Sequence, residues 1–540
     1  MRLPSILLVL LGSSVQTVGA QPQETTVPTA PFGVFDWIVL VLYLLVLVGM
    51  GYYFSRRGTS TDDFFLAGGR IPGWAAGLSI YGTSLSALTF MATPAKVYAT
   101  NWVYILINVC ELLVAPIIIF YYLPFFRRLQ VTSAYEYLGK RFNVATRWFG
   151  SLFFCFFQLG RMGIVVALPS IALATVTGVN VYLCILIIGL LATLYTALGG
   201  IEAVVWTDVL QVFVLLGGAL FSIGIILVEV GGVSEFMSVA RANDKFHMFN
   251  WTWDYTTTAV WVVLFGNLFA KLVPFTADQT IVQRYMTTDS EEEAARSIWT
   301  AALLAVPGAV IFFSIGTALF VFYETYPGLL ASNLETDAIF PFFIAQQLPA
   351  GIAGLVIAGL FAASMSSLDS SMNSVATVVV TDFYRLFRPD APDRTRLRIA
   401  RGLTLLLGVM GTTLALVIAF FPVESLWDIY LEIIGLLGGS IAGLFALGIF
   451  TKRASGSGAL VGAVTSAALL FAVRGFTEVH FFLYAGIAIL SCVLVGYLVS
   501  LLVPTGPEKS LDGLTLYTMG PRRDDIEEPK RRVPASEPEP

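Results

Sequence analysis

The sequence predicts an all-α, polytopic membrane fold of about thirteen transmembrane helices. Three observations lead there. The 540 residues are 57% hydrophobic and only 12% charged, with a mean hydropathy of +0.80, far more apolar surface than a water-soluble domain can use. Segment after segment reaches the roughly 20 apolar residues that cross a bilayer. Lys and Arg gather on alternate loops, the asymmetry that sets membrane orientation.

Residues 1–20 read as a secretory signal, with Arg2, the apolar run Leu3–Leu11 and the small residues Val18-Gly-Ala20 before Gln21. That run is too short for a span. The polar, Pro-rich segment 21–32 then lies outside the cell. Spans follow at Gly33–Phe54, Trp74–Tyr98, Trp102–Leu123, Trp148–Val176, Val181–Leu198, Glu202–Val230, Thr258–Ile281, Ile298–Phe322, Ile352–Val380, Gly402–Phe421, Ile429–Phe450, Gly458–Val473 and Phe481–Val503. Residues 33–503 thus make one transmembrane domain. The tail 504–540, rich in Pro and charge, is expected to be disordered.

The charges test this map independently. Arg56-Arg57, Arg127-Arg128, Lys140-Arg141, Arg385 through Arg401, Lys452-Arg453 and Lys530-Arg-Arg532 all fall on one side of it. The opposite loops are nearly free of Lys and Arg, apart from Arg241 and Lys245. The positive-inside rule then puts the mature N-terminus outside and the C-terminus in the cytoplasm of a multi-pass cell-membrane protein.

Setting the first span aside, the next five are odd in number, so the following five begin with opposite orientation. This is the arithmetic of an inverted repeat, common in secondary transporters. The opening helix of the second repeat would then hold Phe265-Gly-Asn-Leu268, a candidate break.

Gly82-Thr-Ser-Leu-Ser-Ala-Leu-Thr-Phe90 puts unusually many hydroxyls into an apolar span. Such a cluster suits an interrupted helix whose freed carbonyls face a cavity. Ala362-Ala-Ser-Met-Ser-Ser-Leu-Asp-Ser-Ser-Met-Asn373 answers it downstream. Ser366, Ser367 and Ser370 share one helix face with Ala363, and Asp369 lies at its edge. Carbonyls, hydroxyls and a carboxylate are hard oxygen ligands suited to sodium. The plainer alternative is that small hydroxyl residues only let helices pack closely.

Ionisable residues inside spans are costly and usually functional. Arg161, in Phe157-Gln-Leu-Gly-Arg-Met-Gly-Ile164, can take a carboxylate in a bidentate pair or salt-bridge a fixed acid such as Glu111. Asp208 reads as a cation ligand or a helix cap. Lys271 contacts solute or pairs structurally. Cys110, Cys155, Cys184 and Cys492 sit in apolar segments without metal-ligand spacing. With His247 and His480 the only histidines, they leave no basis for a soft-metal site.

Asp62-Asp-Phe-Phe-Leu-Ala-Gly-Gly-Arg70, Thr132-Ser-Ala-Tyr-Glu-Tyr-Leu138 with Arg141-Phe142, Tyr195-Thr-Ala-Leu-Gly-Gly-Ile-Glu-Ala-Val-Val-Trp-Thr-Asp208 and Ala363–Asn373 occur in this order. Together they resemble the sodium/solute symporter family, from Asp62 to about Lys452, with its LeuT-type 5+5 core. The resemblance implies a sodium site at Gly82, Leu85, Ala363, Ser366 and Ser367. A second sodium site would map to Asp208, Ser366 and Ser370, with Asp369 standing where some members have a serine. Leu85-Ser-Ala-Leu-Thr-Phe-Met-Ala92 and Gln158-Leu-Gly-Arg-Met162 resemble the bacterial sialic acid symporters within that family. That likeness implies Ser84, Ser86 and Thr89 at the solute carboxylate, Arg161 as its counter-ion, and Asn108 toward the sugar. Asn108 stands for a glutamine and Ser84 for a threonine, and the wider family also carries neutral sugars, monocarboxylates, vitamins, iodide and proline.

The expected activity is therefore sodium-coupled import of a small organic solute, a sialic acid or another carboxylate foremost, with a neutral solute as the alternative. The partners are that solute, sodium and the lipid bilayer, with neither organic cofactor nor nucleic acid. A channel would want a continuous pore, and an enzyme or sensor a catalytic set or soluble domain. No Gly-rich phosphate loop, His-Glu-x-x-His or serine nucleophile motif is visible.

Overall fold

Inside a bilayer no water satisfies a stray peptide group, so a chain this apolar closes its backbone hydrogen bonds within helices. The computed structural model describes residues 33–58, 60–129, 131–331, 334–421, 438–503 and 510–519, and these contain helices and no strand. The signal segment 1–20, segment 21–32, most of the tail and the first half of the span expected at Ile429–Phe450 lie outside the described residues.

The main helices are α1 (Val34–Ser55), α2 (Gly73–Ser84), α3 (Ala87–Ala99), α4 (Leu106–Ile117), α5 (Val144–Thr177), α6 (Val181–Glu229), α7 (Val260–Ala277) and α8 (Gln279–Met286). They continue as α9 (Glu291–Thr325), α10 (Ile339–Gln347), α11 (Ile352–Val378), α12 (Asp393–Phe420), α13 (Gly439–Phe450), α14 (Gly456–Phe476) and α15 (Tyr484–Leu502).

Ten described helices are long and apolar enough to cross a membrane, or eleven with the bent pair α2 and α3 taken as one span. The 49-residue α6 is about 73 Å long at 1.5 Å per residue, more than twice the ~30 Å hydrocarbon core. It is interrupted at Gly200, where φ is +61° and ψ −153°. That left-handed backbone favours glycine, and a Cβ there would meet the Phe64 carbonyl oxygen at 2.6 Å. The run is therefore two spans, matching the expected Val181–Leu198 and Glu202–Val230. The expected span Ile429–Phe450 is described only from residue 438 onward.

Loops of alternate spans collect at two ends. At one end Arg57 and Arg70 both pair with the buried Glu202, at 3.2 Å each. There Arg127 also donates to the Thr288 carbonyl (2.9 Å), and the backbone of Thr61 donates to Asp393 (3.1 Å). At the other end Asp36 accepts from the backbone of Gly351 and Gly354 (2.7 and 2.8 Å), capping the start of α11. Lys245 donates there to the carbonyls of Tyr98 and Thr100.

Lipid does not drive helices together by hydrophobicity, so packing and polar links decide the arrangement. Helix α11 is the centre. In its span 89% of the apolar window is buried, against 28% for α12 and 33% for α1, which turn large apolar side chains outward. Helices α1, α2, α3, α5, α6, α8 and α12 all pack on α11.

Two expectations are corrected. The chain stays helical through Phe265-Gly-Asn-Leu268, with the Asn267 side chain donating to the Val263 carbonyl one turn back (2.8 Å). The break comes later, at Asp278, whose φ of −101° and ψ of 111° separate α7 from α8. Residues 510–519, within the tail expected to be disordered, lie against the core. The Leu516 amide donates to the Ile449 carbonyl (2.9 Å), and Tyr137 donates to the Leu514 carbonyl (2.9 Å).

Candidate functional site

The first break follows from the residues at the end of α2. Leu85 closes the last turn on the Tyr81 carbonyl (2.9 Å) and leaves the helical region at ψ 75°. Ser86 is extended and restarts the chain as α3, its hydroxyl accepting from the Thr89 amide (3.4 Å). The two halves meet at 55°. A helix end leaves its last carbonyls without intrahelical donors, so this gap supplies backbone oxygens in mid-membrane. Gly82 allows the close approach of α6, since a Cβ there would lie 2.9 Å from the Val212 side chain.

The expected solute residues gather at this gap, with one exception. Ser84 is exposed although most of α2 is buried, and its hydroxyl donates back to the Ile80 carbonyl (3.1 Å). Thr89 donates to the Ser84 carbonyl (3.5 Å) and Ser86 caps the same turn. Arg161 of α5 reaches in from the side, and its Nη2 donates to the Thr83 carbonyl at 3.3 Å. It is only 7% exposed, has no carboxylate partner among the described residues, and its Nε has no hydrogen-bond partner. Glu111 is not that partner, because it pairs with Lys271 of α7 at 2.7 Å. Asn108 is the exception. It donates only weakly to Ile105 of its own segment (3.5 Å).

Helix α5 touches the second break as well. Gln158, one turn before Arg161, donates to Asp278 (3.2 Å) and accepts from Ser371 of α11 (2.7 Å). Asp278 in turn caps α8 through the Thr280 amide (2.8 Å). One helix thus ties both breaks to the serine-rich face of α11.

On that face Ser367 is fully buried and its hydroxyl has no hydrogen-bond partner among the described residues. A buried unpaired hydroxyl is costly, and a ligand that satisfies it is favoured. With the carbonyls freed at Gly82 and Leu85, the donor set fits a small hard cation.

The residues expected at a second sodium site are also brought together, around a side chain that sequence reasoning missed. Arg284 of α8 is completely buried. It donates to Asp208 (2.9 Å), Ser370 (2.5 Å), Ser79 (2.7 Å) and the Thr280 carbonyl (2.5 Å). Asp208 also accepts from Ser79 and from Ser366, both at 2.5 Å. Asp369 accepts from Ser370 (3.1 Å) and in a short bond from Tyr195. Asp208 lies inside α6 rather than at its cap, and its charge faces a guanidinium.

A helical membrane protein with two mid-membrane breaks beside an oxygen-rich central helix has the construction of a secondary transporter. Residues 64–466 match the model of the sodium:solute symporter family, and the chain belongs to that family. It is 41% identical over 471 residues to a sodium/sialic acid symporter of Aliivibrio fischeri, covering 86% of this chain and 93% of that one. The sodium/sialic acid symporter of Proteus mirabilis is 40% identical over 484 residues, covering 89% and 98%. A rabbit (Oryctolagus cuniculus) sodium-dependent multivitamin transporter is 31% identical, covering 84% and 73%. The solved substrate-bound, outward-open structure of a Na+-coupled sialic acid symporter matches with a TM-score of 0.83 at 40% identity, covering 88% of this chain and 99% of that one. A nucleobase-cation-symport-1 family transporter shares the fold, with a TM-score of 0.58 at 16% identity and 83% and 97% coverage.

Proposed function

We propose that this chain is a sodium-coupled symporter importing a sialic acid, with Arg161 as the counter-ion of the solute carboxylate. The observation that carries the anionic solute is Arg161 itself. A buried guanidinium without a carboxylate partner, at a break in the membrane, needs an anion to complete it. The relatives at about 40% identity carry sialic acid, and that agrees with an acid bearing a polar body. Ser84, Ser86 and Thr89 offer hydroxyls and an amide to the carboxylate end, and Asn108 is assigned toward the sugar by the likeness to the sialic acid symporters alone.

Coupling follows from sharing one gap. Sodium held by the carbonyls of Gly82 and Leu85, the Ala363 carbonyl, and the hydroxyls of Ser366 and Ser367 fixes the end of α2 against α11. Ser84 and Ser86 flank Leu85, so fixing that carbonyl also fixes the solute's hydroxyl donors. Each ligand then finds ordering already done by the other, and the coupling is reciprocal. Uptake runs from outside to cytoplasm, with the N-terminus outside and the Arg-rich loops within. The test is uptake of labelled N-acetylneuraminate into proteoliposomes with and without an inward sodium gradient. Gradient-driven accumulation, competed by other sialic acids but not by neutral hexoses, is the expected result. Accumulation of a neutral sugar instead would refute the carboxylate reading.

A further inference from the structure

The turn between α13 and α14 carries two adjacent exposed cations, Lys452 and Arg453. Its backbone is held in place. Arg141, at the end of the short helix Tyr135–Arg141, donates to the carbonyls of Gly448, Thr451 and Ala454 (3.0, 2.9 and 3.1 Å). Residues 510–519 fold over the same turn, through the Leu516 amide on Ile449 and the Tyr137 hydroxyl on Leu514, both at 2.9 Å. Leu514 and Thr515 are buried there, and the Gly513 amide closes the segment on the Thr518 carbonyl (3.0 Å). Tyr517 is left facing outward, with the Lys452 ammonium 5.2 Å from its ring centroid.

Turn, segment and α15 together bound a cleft of about 650 Å³. Its apolar wall is a face of α15, where Leu490, Leu494 and Tyr497 follow one another at helical spacing. Leu490 and Leu494 are 51% and 61% exposed, on a helix long and apolar enough to span the bilayer. Helices α13 and α15 run side by side in one direction, since Gly443 abuts Cys492 and Gly496 abuts Leu447. Tyr497 is therefore level with the basic turn, and Leu490 lies about 10 Å deeper along the axis. The cleft is graded, cationic and phenolic at its mouth and apolar below.

Arg57, Arg70 and Arg147, on the same side of the bundle, are matched by Glu202 and Asp382. Lys452 and Arg453 have no carboxylate within salt-bridge distance among the described residues, and no acid lines the cleft. A soluble anion would answer the two charges and leave the apolar wall bare. A zwitterionic lipid would cover the wall and bring a cation of its own. An anionic phospholipid answers both.

We infer that this cleft binds one anionic phospholipid, its phosphate at Lys452 and Arg453 and an acyl chain along Leu490 and Leu494. The lipid then ties residues 510–519 to α15.

The test is native mass spectrometry of the purified full-length protein in detergent, titrated with dioleoylphosphatidylglycerol or dioleoylphosphatidylcholine. The parent should retain one phosphatidylglycerol about tenfold or more tightly than phosphatidylcholine. Lys452→Gln with Arg453→Gln should erase that preference. Leu494→Trp keeps both cations and fills the cleft, so it should lose the retained lipid, and melting curves without added lipid establish that each variant is folded. Equal retention of the two lipids by the parent, or a preference unchanged in the folded double variant, overturns the inference. Displacement of phosphatidylglycerol by millimolar inorganic phosphate marks a plain anion site and overturns it too. The chain also carries its own acids at Asp524, Asp525, Glu527 and Glu528. A lipid preference that emerges only when all four are changed to Asn or Gln makes that segment the occupant, and again overturns the lipid.

Discussion

Replacing Arg161 should cost solute affinity without costing the fold. The guanidinium is already stripped of most water, being 7% exposed, and its bond to the Thr83 carbonyl is long at 3.3 Å. A carboxylate arriving at about 4 Å gains about 4 kcal/mol at an effective dielectric constant of about 20. Desolvating the solute takes back about 1 kcal/mol, as for one imperfectly replaced hydrogen bond. The net of about 3 kcal/mol corresponds to about two orders of magnitude in affinity. Arg161→Ala should therefore weaken binding of the acid about 100-fold by calorimetry. Arg161→Lys should weaken it less, because it keeps the charge and loses the planar fork. The methyl ester should bind the parent poorly and lose little more in the variant. Since Arg161 has no carboxylate partner in the protein, the melting temperature without solute should hold or rise. Equal losses for acid and ester in a folded variant would refute the argument.

Four further outcomes follow from the same geometry. Replacing both Ser366 and Ser367 with alanine should raise the sodium concentration for half-maximal uptake about tenfold or more, about 1.4 kcal/mol, read from sodium titrations of initial rate. Arg284→Met strands the buried Asp208, so it should destabilise by about 3–5 kcal/mol and lower the melting temperature, and Arg284→Met with Asp208→Asn should recover part of the loss. Gly200→Ala puts a side chain where φ is +61° and the Phe64 oxygen is 2.6 Å away, so the folded yield should fall by detergent size-exclusion, whereas alanine at Gly217, with open space around it, should be tolerated. His480, lying just before the last span, is pushed down to about 4 by burial and then by nearby Lys96; the unfolded chain binds its proton first, so stability is full above about pH 6.5 and falls as pH drops toward 4, a dependence His480→Gln should flatten in melts across that range.

How far residues alone disclosed this site varies by element. The first break was legible because Gly82, Ser84 and Ser86 are chemically out of place in a lipid-facing span. The second was sought at Gly266-Asn267, where an amide can bond back onto its own helix and leave it intact. The actual signal was Pro274 followed by Asp278 two residues before Thr280, a helix-capping arrangement hidden within an apolar run. Arg284 was missed because an arginine just past a hydrophobic stretch reads as an ordinary positive loop residue. Only the return of α8 against α2 and α11 shows it to be a fully buried charge in the site.

The half-helices on the Arg-rich side are yoked to each other. Arg284 of α8 binds Ser79 of α2 (2.7 Å), the Ile71 amide donates to the Thr287 carbonyl (3.1 Å), and the Gly73 amide donates to Glu293 at the head of α9 (2.6 Å). A carrier that parted α2 from α8 on each turnover would break the buried, charge-assisted bond from Arg284 to Ser79, worth about 1.5–3 kcal/mol. Each 1.36 kcal/mol slows a step about tenfold, so such a stroke would be slowed by about one to two orders of magnitude. The economical stroke swings α2 and α8 as one lever and flexes at the two gaps instead, where Leu85 and Asp278 already hold the backbone outside the helical range.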